Sequence, residues 1–168
     1  MILIIDDDPS VRSSLTLLLK RAGHETHAAA SPQEALDFVR NTLPQLMLMD
    51  MNFSLATKGD EGLELLQKVH VFCPEVPVIL ITAWGSIALA VKGMQLGAFD
   101  FITKPLNLDR LFLLIRRAFS NLDLYEQNTA LKKELEELKR HSKYDKIIGK
   151  SEQMVRLMDT VRQIADAS

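Results

Sequence analysis

Carboxylates, a hydroxyl and an amine follow four separate apolar runs of this sequence. In chain order these side chains are Asp6, Asp7 and Asp8 after the first run, Asp50 after the third, Thr82 after the fourth and Lys104 after the fifth. If the runs are parallel strands of an α/β sheet, their carboxyl ends meet at one edge, where ligands bind in such folds. The spacing therefore predicts one site that combines acidic groups, a hydroxyl and an ammonium.

Such a site would suit phosphoryl chemistry with a hard metal ion. Two carboxylates about 5 Å apart repel each other by roughly 3 kcal/mol at an effective dielectric constant near 20. Three carboxylates need more counter-charge than one lysine supplies, and oxygen ligands without His or Cys nearby favour Mg²⁺. A carboxylate beside Mg²⁺ can attack a phosphoryl group and form an acyl phosphate. Thr82 and Lys104 would then bind the phosphoryl oxygens.

Each of these residues also has an ordinary structural interpretation. Asp8 precedes a proline and is better interpreted as a helix N-cap than as a metal ligand. Asp6 and Asp7 could form a solvated acidic turn. Thr82 could simply end a strand, and Lys104 could be a surface lysine. The occurrence of all of them at successive strand ends is what favours a functional site.

The first 119 residues alternate short apolar runs with amphipathic stretches, which predicts a doubly wound α/β fold. The apolar runs are Ile2–Ile5, Glu25–Ala29, Leu46–Met49, Val76–Ile81 and Phe99–Ile102. Continuously apolar runs indicate strands covered on both faces, as in a five-stranded parallel sheet. Helix start signals lie between them, namely Asp8 and the capping box that begins at Ser31. We expect the flavodoxin-like strand order.

Residues 120–141 change in composition and predict a coiled-coil linker helix. The stretch lacks Gly and Pro, and spacings of four and three relate Leu124, Asn128, Leu131, Leu135 and Leu138. Asn at one a position with Leu at the d positions favours a parallel two-stranded coil, hence a homodimer. The alternative is a single helix that packs its leucines on a neighbouring domain. The preceding helix has a different apolar seam, which we expect to dock on the sheet: Leu111, Ile115, Ala118 and Leu122.

Residues 142–168 predict a turn around Gly149 followed by an amphipathic helix. The apolar face of that helix would consist of Met154, Leu157, Met158, Val161 and Ile164. A segment of this length cannot bury a core by itself. We interpret it as the N-terminal part of a further domain.

Bulk composition predicts a soluble protein of the cytoplasm. The chain has 168 residues and a formal net charge of −2, which gives no sign of a basic nucleic-acid surface. Cys73 is the only cysteine, which excludes an internal disulfide and fits a reducing compartment. The apolar N-terminus runs directly into aspartates, so we expect a strand there rather than a signal peptide. The longest apolar run, Val76–Trp84, is too short to span a membrane.

Four segments together resemble the signatures of bacterial response-regulator receiver domains. They are Ile2–Asp8, Leu46–Asp50, Ile81–Ala83 and Asp100–Pro105. The resemblance covers residues 1–119 and implies that Asp50 accepts a phosphoryl group from a sensor histidine kinase. It also implies a Mg²⁺ site made by Asp6, Asp7, Asp50 and the backbone carbonyl of Asn52. Thr82 and Phe101 would be the switch pair, and the Lys104–Pro105 peptide bond would be cis.

The C-terminal segment resembles the opening of the AAA+ domain in NtrC-type, sigma-54-dependent transcription activators. The matching stretches are Ile147–Met154 and Val161–Ala165, and no Gly-x-x-x-x-Gly-Lys-Ser/Thr phosphate loop is present. The resemblance implies a regulatory fragment that is not an enzyme but a phosphoacceptor promoting its own phosphotransfer. Its partners would be a second copy, the downstream AAA+ domain and, through the full-length protein, sigma-54 RNA polymerase. This fragment itself would not bind nucleic acid.

Other functions are compatible with parts of the pattern. Residues 51–62 form a longer segment than the receiver family usually has, without its proline, so the loop geometry and phosphate lifetime are not expected to follow the family. A Mg²⁺-dependent phosphohydrolase with an aspartate nucleophile would need a second aspartate where this chain has Asn52. A flavodoxin-like cofactor binder is disfavoured because the acidic turn would repel phosphate. A dimerisation module with a vestigial acidic site is the remaining alternative.

Overall fold

The computed structural model describes residues 1–51, 60–83 and 87–152. Strands and helices alternate along the chain. The strands are β1 (Ile2–Ile5), β2 (Thr26–Ala29), β3 (Leu46–Asp50), β4 (Val78–Thr82) and β5 (Asp100–Thr103). The helices are α1 (Pro9–Arg21), α2 (Pro32–Asn41), α3 (Asp60–Phe72), α4 (Ile87–Gln95) and α5 (Leu108–Glu152). The five strands agree with the predicted runs to within two residues.

The sheet has five parallel strands in the order β2-β1-β3-β4-β5. The predicted doubly wound, flavodoxin-like fold is therefore confirmed. The chain order reverses between β1 and β3, which are neighbours in the sheet. In folds of this type the crevice at that reversal is the ligand site.

Two apolar layers cover the two faces of the sheet, because residues of a strand alternate between its faces. Ile4 and Leu48 face one layer, where they pack with Leu15 of α1 and Leu114 of α5. The opposite layer buries side chains of β1, β3 and β4 against α2 and α3: Leu3, Met49, Leu80, Leu36, Val39, Leu66 and Val69. This burial on both sides accounts for the continuously apolar strands.

Side-chain caps begin the first two helices as predicted. The Asp8 carboxylate accepts a hydrogen bond from the Ser10 N–H at 2.9 Å, and Pro9 occupies the first turn of α1. The Ser31 hydroxyl accepts from the Glu34 N–H at 3.2 Å. After α1, Gly23 adopts φ 91°, a left-handed conformation that glycine takes without a Cβ clash.

Helix α5 runs unbroken from Leu108 to Glu152. Its first turns bury Leu111, Ile115 and Ala118, which confirms three positions of the predicted docking seam, whereas the fourth, Leu122, is only partly buried. The expected turn around Gly149 is wrong, because the helix continues past it. An isolated glycine costs a helix interior only about 1 kcal/mol, and no proline follows to end the helix.

The chain divides into two compact units, Met1–Asp123 and Leu124–Ser168. The boundary falls within α5, so no break in secondary structure marks the boundaries predicted at residues 119 and 141. That three-part division remains a prediction. None of the helices in the described ranges is long and apolar enough to cross a membrane.

Candidate functional site

Adjacent strands place Asp6 and Asp50 side by side at the carboxyl edge of the sheet. Ile5 of β1 and Met49 of β3 are register partners, so the two aspartates follow at the same level. Because of strand alternation, Asp6 continues the face of Ile4 and Asp50 continues the face of Leu48. The fold therefore brings two residues 44 positions apart in the sequence to one point.

Asp6, Asp7 and Asp50 form a compact carboxylate cluster. Each offers one oxygen, and these oxygens all lie within 4.8 Å of one another. Asp6 and Asp50 are only 1% and 2% exposed, whereas Asp7 is exposed. The cluster thus contains two buried carboxylates and one carboxylate that faces solvent. Asp8 is used as the helix cap, as its position predicted.

Burial dominates the electrostatics of Asp6. Desolvation raises the pKa of this carboxyl to about 6, a hydrogen bond from the Asp8 N–H opposes the shift, and the neighbouring charge of Asp50 adds to it. Asp6 Oδ1 accepts that hydrogen bond at 2.9 Å. Asp6 Oδ2 is buried and has no hydrogen-bond partner in the described part of the chain. A buried, unpartnered carboxylate oxygen is costly unless a cation or proton meets it.

The donor set fits a hard divalent cation. Three carboxylates offer only oxygen, and one of them, Asp6, has an oxygen without a hydrogen-bond partner in the described part of the chain. Mg²⁺ binds proteins through one or two carboxylates and retains several waters, which the exposed side of the cluster could accommodate. Asn52, whose carbonyl was predicted as a further ligand, lies outside the described residues.

Lys104 supplies a positive charge to this cluster. Its Nζ lies 3.5 Å from Asp50 Oδ1, and the lysine side chain is 36% exposed against 2% for Asp50. The Lys104 backbone N–H donates to the Thr82 carbonyl at 2.8 Å, which ties the end of β5 to the end of β4. The peptide bond between Lys104 and Pro105 is cis, the geometry that the family resemblance implies.

Thr82 and Phe101 lie on the same face of neighbouring strands. Phe101 is the register partner of Leu80, and Thr82 follows Leu80 by two residues. Thr82 is fully buried, and its hydroxyl has no hydrogen-bond partner in the ranges described. Phe101 is partly buried and packs against the same apolar layer as Leu80. The structure therefore places both members of the expected switch pair on one face of the sheet, while the switching itself remains a prediction.

One contact of the site was missed from the sequence. Arg12, in the first turns of α1, donates from Nη1 to the Asp6 carbonyl oxygen at 2.8 Å. The available signal was a basic residue four positions after the helix cap, where a long side chain on the first turn can reach back to the preceding strand end. An arginine at one helix position is too common to have singled it out.

Comparison with known proteins agrees with this geometry. The family model for the response regulator receiver domain matches residues 2–116. The chain therefore belongs to the response regulator receiver domain family. Receiver domains of response regulators are phosphoacceptors rather than enzymes, bind Mg²⁺ at their acidic site and are phosphorylated by sensor histidine kinases.

Among curated relatives, the chain is similar to transcriptional regulators. It is 34% identical to the C4-dicarboxylate transport transcriptional regulatory protein DctD of Rhizobium meliloti, over 98% of this chain and 34% of that protein. It is 33% identical to the nitrogen assimilation regulatory protein NtrX of Azorhizobium caulinodans, over 97% of this chain and 34% of that protein. The chain thus spans about a third of the length of these relatives.

Solved structures give the same result. A crystal structure of NtrX from Brucella abortus aligns with a TM-score of 0.71 and 34% identity, over 77% of this chain and 29% of that chain. The crystal structure of the receiver domain of that NtrX aligns with a TM-score of 0.66 and 35% identity, over 71% of this chain and 98% of that domain. The similarity to the isolated receiver domain supports assigning the sheet and its surrounding helices to this family.

Proposed function

We propose that Asp50 is the phosphoacceptor of this chain and that its donor is the phosphohistidine of a sensor histidine kinase. The observation that carries this proposal is the position of Lys104 Nζ, 3.5 Å from Asp50 Oδ1, beside the cluster of three carboxylates. A buried carboxylate with an ammonium at this distance and with acidic neighbours supports phosphoryl transfer over an ordinary surface ion pair.

The transfer exchanges one bond for another. A carboxylate oxygen of Asp50 forms a P–O bond while the P–N bond of the donor's phosphohistidine breaks. The imidazole nitrogen keeps the electron pair of the broken bond and takes up a proton. Lys104 neutralises part of the negative charge that the phosphoryl oxygens bring to the site. The product is an acyl phosphate on Asp50.

Asp6, Asp7 and Asp50 would hold Mg²⁺ in this proposal, with the carbonyl of Asn52 as a further ligand. When bound, the ion would neutralise the carboxylate cluster and the incoming phosphoryl group. The support is the all-oxygen donor set and the buried, unpartnered Asp6 Oδ2. Without a cation, burial raises the pKa of Asp6 to about 6, so the ionised carboxylate carries a desolvation cost that the ion would offset.

Thr82 and Phe101 would convert phosphorylation into a change of surface. Asp50 is the register partner of Ile81, so Thr82 stands one residue further on the adjacent strand. The buried Thr82 hydroxyl has a donor available for a phosphoryl oxygen on Asp50. Movement of Thr82 toward that oxygen would free space on the face that it shares with Phe101. Phe101 could then turn inward and alter the surface near α4 and α5.

The second half of α5 would carry the signal onward through a homodimeric coiled coil. The four seam leucines are 52–66% exposed in the single chain: Leu124, Leu131, Leu135 and Leu138. Burying the exposed part of each one against a second helix would contribute about 1–2 kcal/mol, roughly half of the value for a fully exposed leucine. Asn128 is also exposed on this helix and would set a parallel, in-register pairing. We propose that the coil controls a downstream AAA+ domain that acts on sigma-54 RNA polymerase in the full-length protein.

A groove beside the site supports a protein donor. It has a volume of about 500 Å³, and its lining combines α1 with the segment after β5: Ser10, Val11, Ser14, Leu15, Leu18, Lys104, Pro105, Leu106 and Leu108. A helix of the kinase that presents phosphohistidine to Asp50 could place apolar side chains in this groove. Leu18→Asp is then expected to slow transfer from a phosphorylated kinase and to leave transfer from a small donor unchanged. Leu43→Asp, 68% exposed at the opposite edge of the sheet, is the control.

Acetyl phosphate with Mg²⁺ tests the proposed function without knowledge of the kinase. We expect one phosphoryl group per chain, absent in Asp50→Asn. Incorporation that survives this substitution, or none in a folded protein, would count against the proposal. Sustained turnover of phosphate esters would favour the phosphohydrolase alternative. A folded dimer that takes up no phosphoryl group would favour a dimerisation module with a vestigial site.

A further inference from the structure

Three hydrogen bonds hold Asp6, two on its backbone and one on its side chain. Its N–H donates to the Ala29 carbonyl of β2 at 3.1 Å, and its Oδ1 accepts from the Asp8 N–H at 2.9 Å. Its carbonyl accepts from Arg12 Nη1 at 2.8 Å. Arg12 is partly buried. It is the side-chain donor among these three hydrogen bonds, since the other two donors are backbone N–H groups.

The contact from Arg12 also constrains Asp7. The Asp6 carbonyl belongs to the peptide unit that joins Asp6 to Asp7, and a peptide unit is planar. Fixing the direction of that carbonyl therefore fixes the plane that contains both Cα atoms. What remains for the exposed Asp7 carboxylate is rotation about its own N–Cα bond and about its side-chain bonds. The same bond thus orients the peptide that joins the two acidic residues after β1.

The guanidinium of Arg12 donates to the backbone carbonyl oxygen of Asp6. Its effect is therefore expected on the geometry of the turn rather than on the ionisation of its carboxylates.

We propose that Arg12 is a positioning residue that pre-orients the Asp6–Asp7 turn for a divalent cation. The proposal rests on the metal site described under the proposed function. Removing a hydrogen bond that orients a metal ligand typically lowers the metal affinity 10–100-fold. Arg12 would hold the backbone of two ligands at once, so its loss is expected to weaken Mg²⁺ binding at least tenfold.

Three variants separate positioning from general stability. Arg12→Met removes the donor and keeps an apolar stem. Arg12→Lys keeps the charge and a single donor, so it is expected to restore most of the affinity. Arg21→Met is the matched control, because Arg21 is an exposed arginine in the last turn of the same helix. Mg²⁺ affinity is measured by calorimetric titration, and thermal unfolding is followed without Mg²⁺.

Hydrogen exchange without Mg²⁺ provides a readout independent of the ion. The Asp8 amide, which donates to Asp6 Oδ1, is expected to exchange faster in Arg12→Met than in Arg21→Met. Equal Mg²⁺ affinity in Arg12→Met and Arg21→Met would overturn the inference, as would a loss in Arg12→Met that Arg12→Lys does not repair at all. If Arg12→Met fails to fold, Arg12→Gln takes its place with Arg21→Gln as its control, and the same outcomes decide.

Failure of the Arg12 positioning role can be distinguished from failure of the proposed phosphoacceptor function. A chain that binds Mg²⁺ in an Arg12-dependent manner but takes up no phosphoryl group on Asp50 would contradict the phosphoacceptor proposal alone. A chain that is phosphorylated on Asp50 with Mg²⁺ affinity insensitive to Arg12 would contradict the positioning role alone.

Discussion

Lys104 Nζ lies 3.5 Å from Asp50 Oδ1, although Asp50 ends β3 and Lys104 follows β5, and β4 separates these two strands. The lysine follows β5 and must extend over the end of β4 to reach the aspartate. Its side chain is 36% exposed, so it stands between the buried carboxylate and solvent. A phosphoryl group entering on Asp50 would therefore meet the ammonium at once.

Lys104→Met is expected to slow phosphorylation without weakening Mg²⁺ binding. Removing a donor aimed at developing negative charge typically lowers a rate by about 10²–10³-fold. Mg²⁺ affinity should stay equal or rise, because a competing cation beside Asp50 is lost. The measurements are the rate of phosphoryl uptake from acetyl phosphate and calorimetric Mg²⁺ titration. Lys20→Met, exposed on α1, is the control, and equal rates in the two variants would contradict the role of Lys104.

Asp6 makes the stability of the Mg²⁺-free protein depend on pH. Its pKa is raised from 3.8 to about 6 on folding, so the unfolded chain loses the proton first as pH rises. Below about pH 4 the carboxyl is protonated in both the folded and the unfolded state, and it does not lower the free energy of unfolding. Between about pH 4 and pH 6 the free energy of unfolding falls, and above about pH 6 the loss is complete. A shift of this size corresponds to about 3 kcal/mol.

Asp6→Asn should therefore stabilise the Mg²⁺-free protein at pH 7.5 by up to about 3 kcal/mol, and much less at pH 4.5. The same substitution should impair Mg²⁺ binding. Urea unfolding with a chelator at the two pH values measures the effect, and Asp7→Asn, at an exposed position, is expected to change stability less. A stability gain that does not vary with pH would rule out this origin.

Thr82 is expected to matter for the response and not for the resting fold. Its hydroxyl is buried without a partner among the described residues, so Thr82→Val should leave stability unchanged or raise it by about 1 kcal/mol. Phosphorylation should persist, because Asp50 is intact. The phosphorylation-induced shift of the Phe101 ring resonances in NMR spectra should disappear in Thr82→Val and remain in Thr82→Ser. A full shift in Thr82→Val would exclude Thr82 as the switch.

Charged substitutions among the seam leucines test the proposed coiled coil. Leu131→Asp combined with Leu135→Asp should yield monomers, because two charges would be buried in the interface. Thr129→Asp combined with Ala130→Asp adds the same charge at positions outside the seam and should leave the dimer intact. Analytical ultracentrifugation measures both. An unchanged oligomeric state in the leucine variant would exclude the coiled-coil dimer.

The features that follow from periodicity and local chemistry were predictable from the sequence. The five strands lie within two residues of their apolar runs, because burial on both faces leaves a continuous pattern. Asp8 caps α1, since an aspartate followed directly by proline is typical of a helix start. The meeting of Asp6 with Asp50 follows from chain order in a parallel sheet.

The remaining features depend on three-dimensional detail that residue types do not carry. Asp6 and Asp7 are identical in type, yet one is buried and the other exposed, and burial is the largest cause of the raised pKa of Asp6. The bond from Arg12 to the Asp6 carbonyl depends on how a long side chain folds back over a helix start. Helix α5 continues past Gly149 because a small intrinsic preference does not decide the conformation of a long helix.

Locating the phosphoryl group on the chain tests the phosphoacceptor proposal most directly. Borohydride reduces an aspartyl phosphate to homoserine, which peptide mass spectrometry identifies by position. After reaction with acetyl phosphate and Mg²⁺, we predict homoserine in place of Asp50 and at no other aspartate, with none formed in Asp50→Asn. Trapping at Asp6 or Asp7, or no trapping in a protein that is folded and binds Mg²⁺, would contradict Asp50 as the phosphoacceptor.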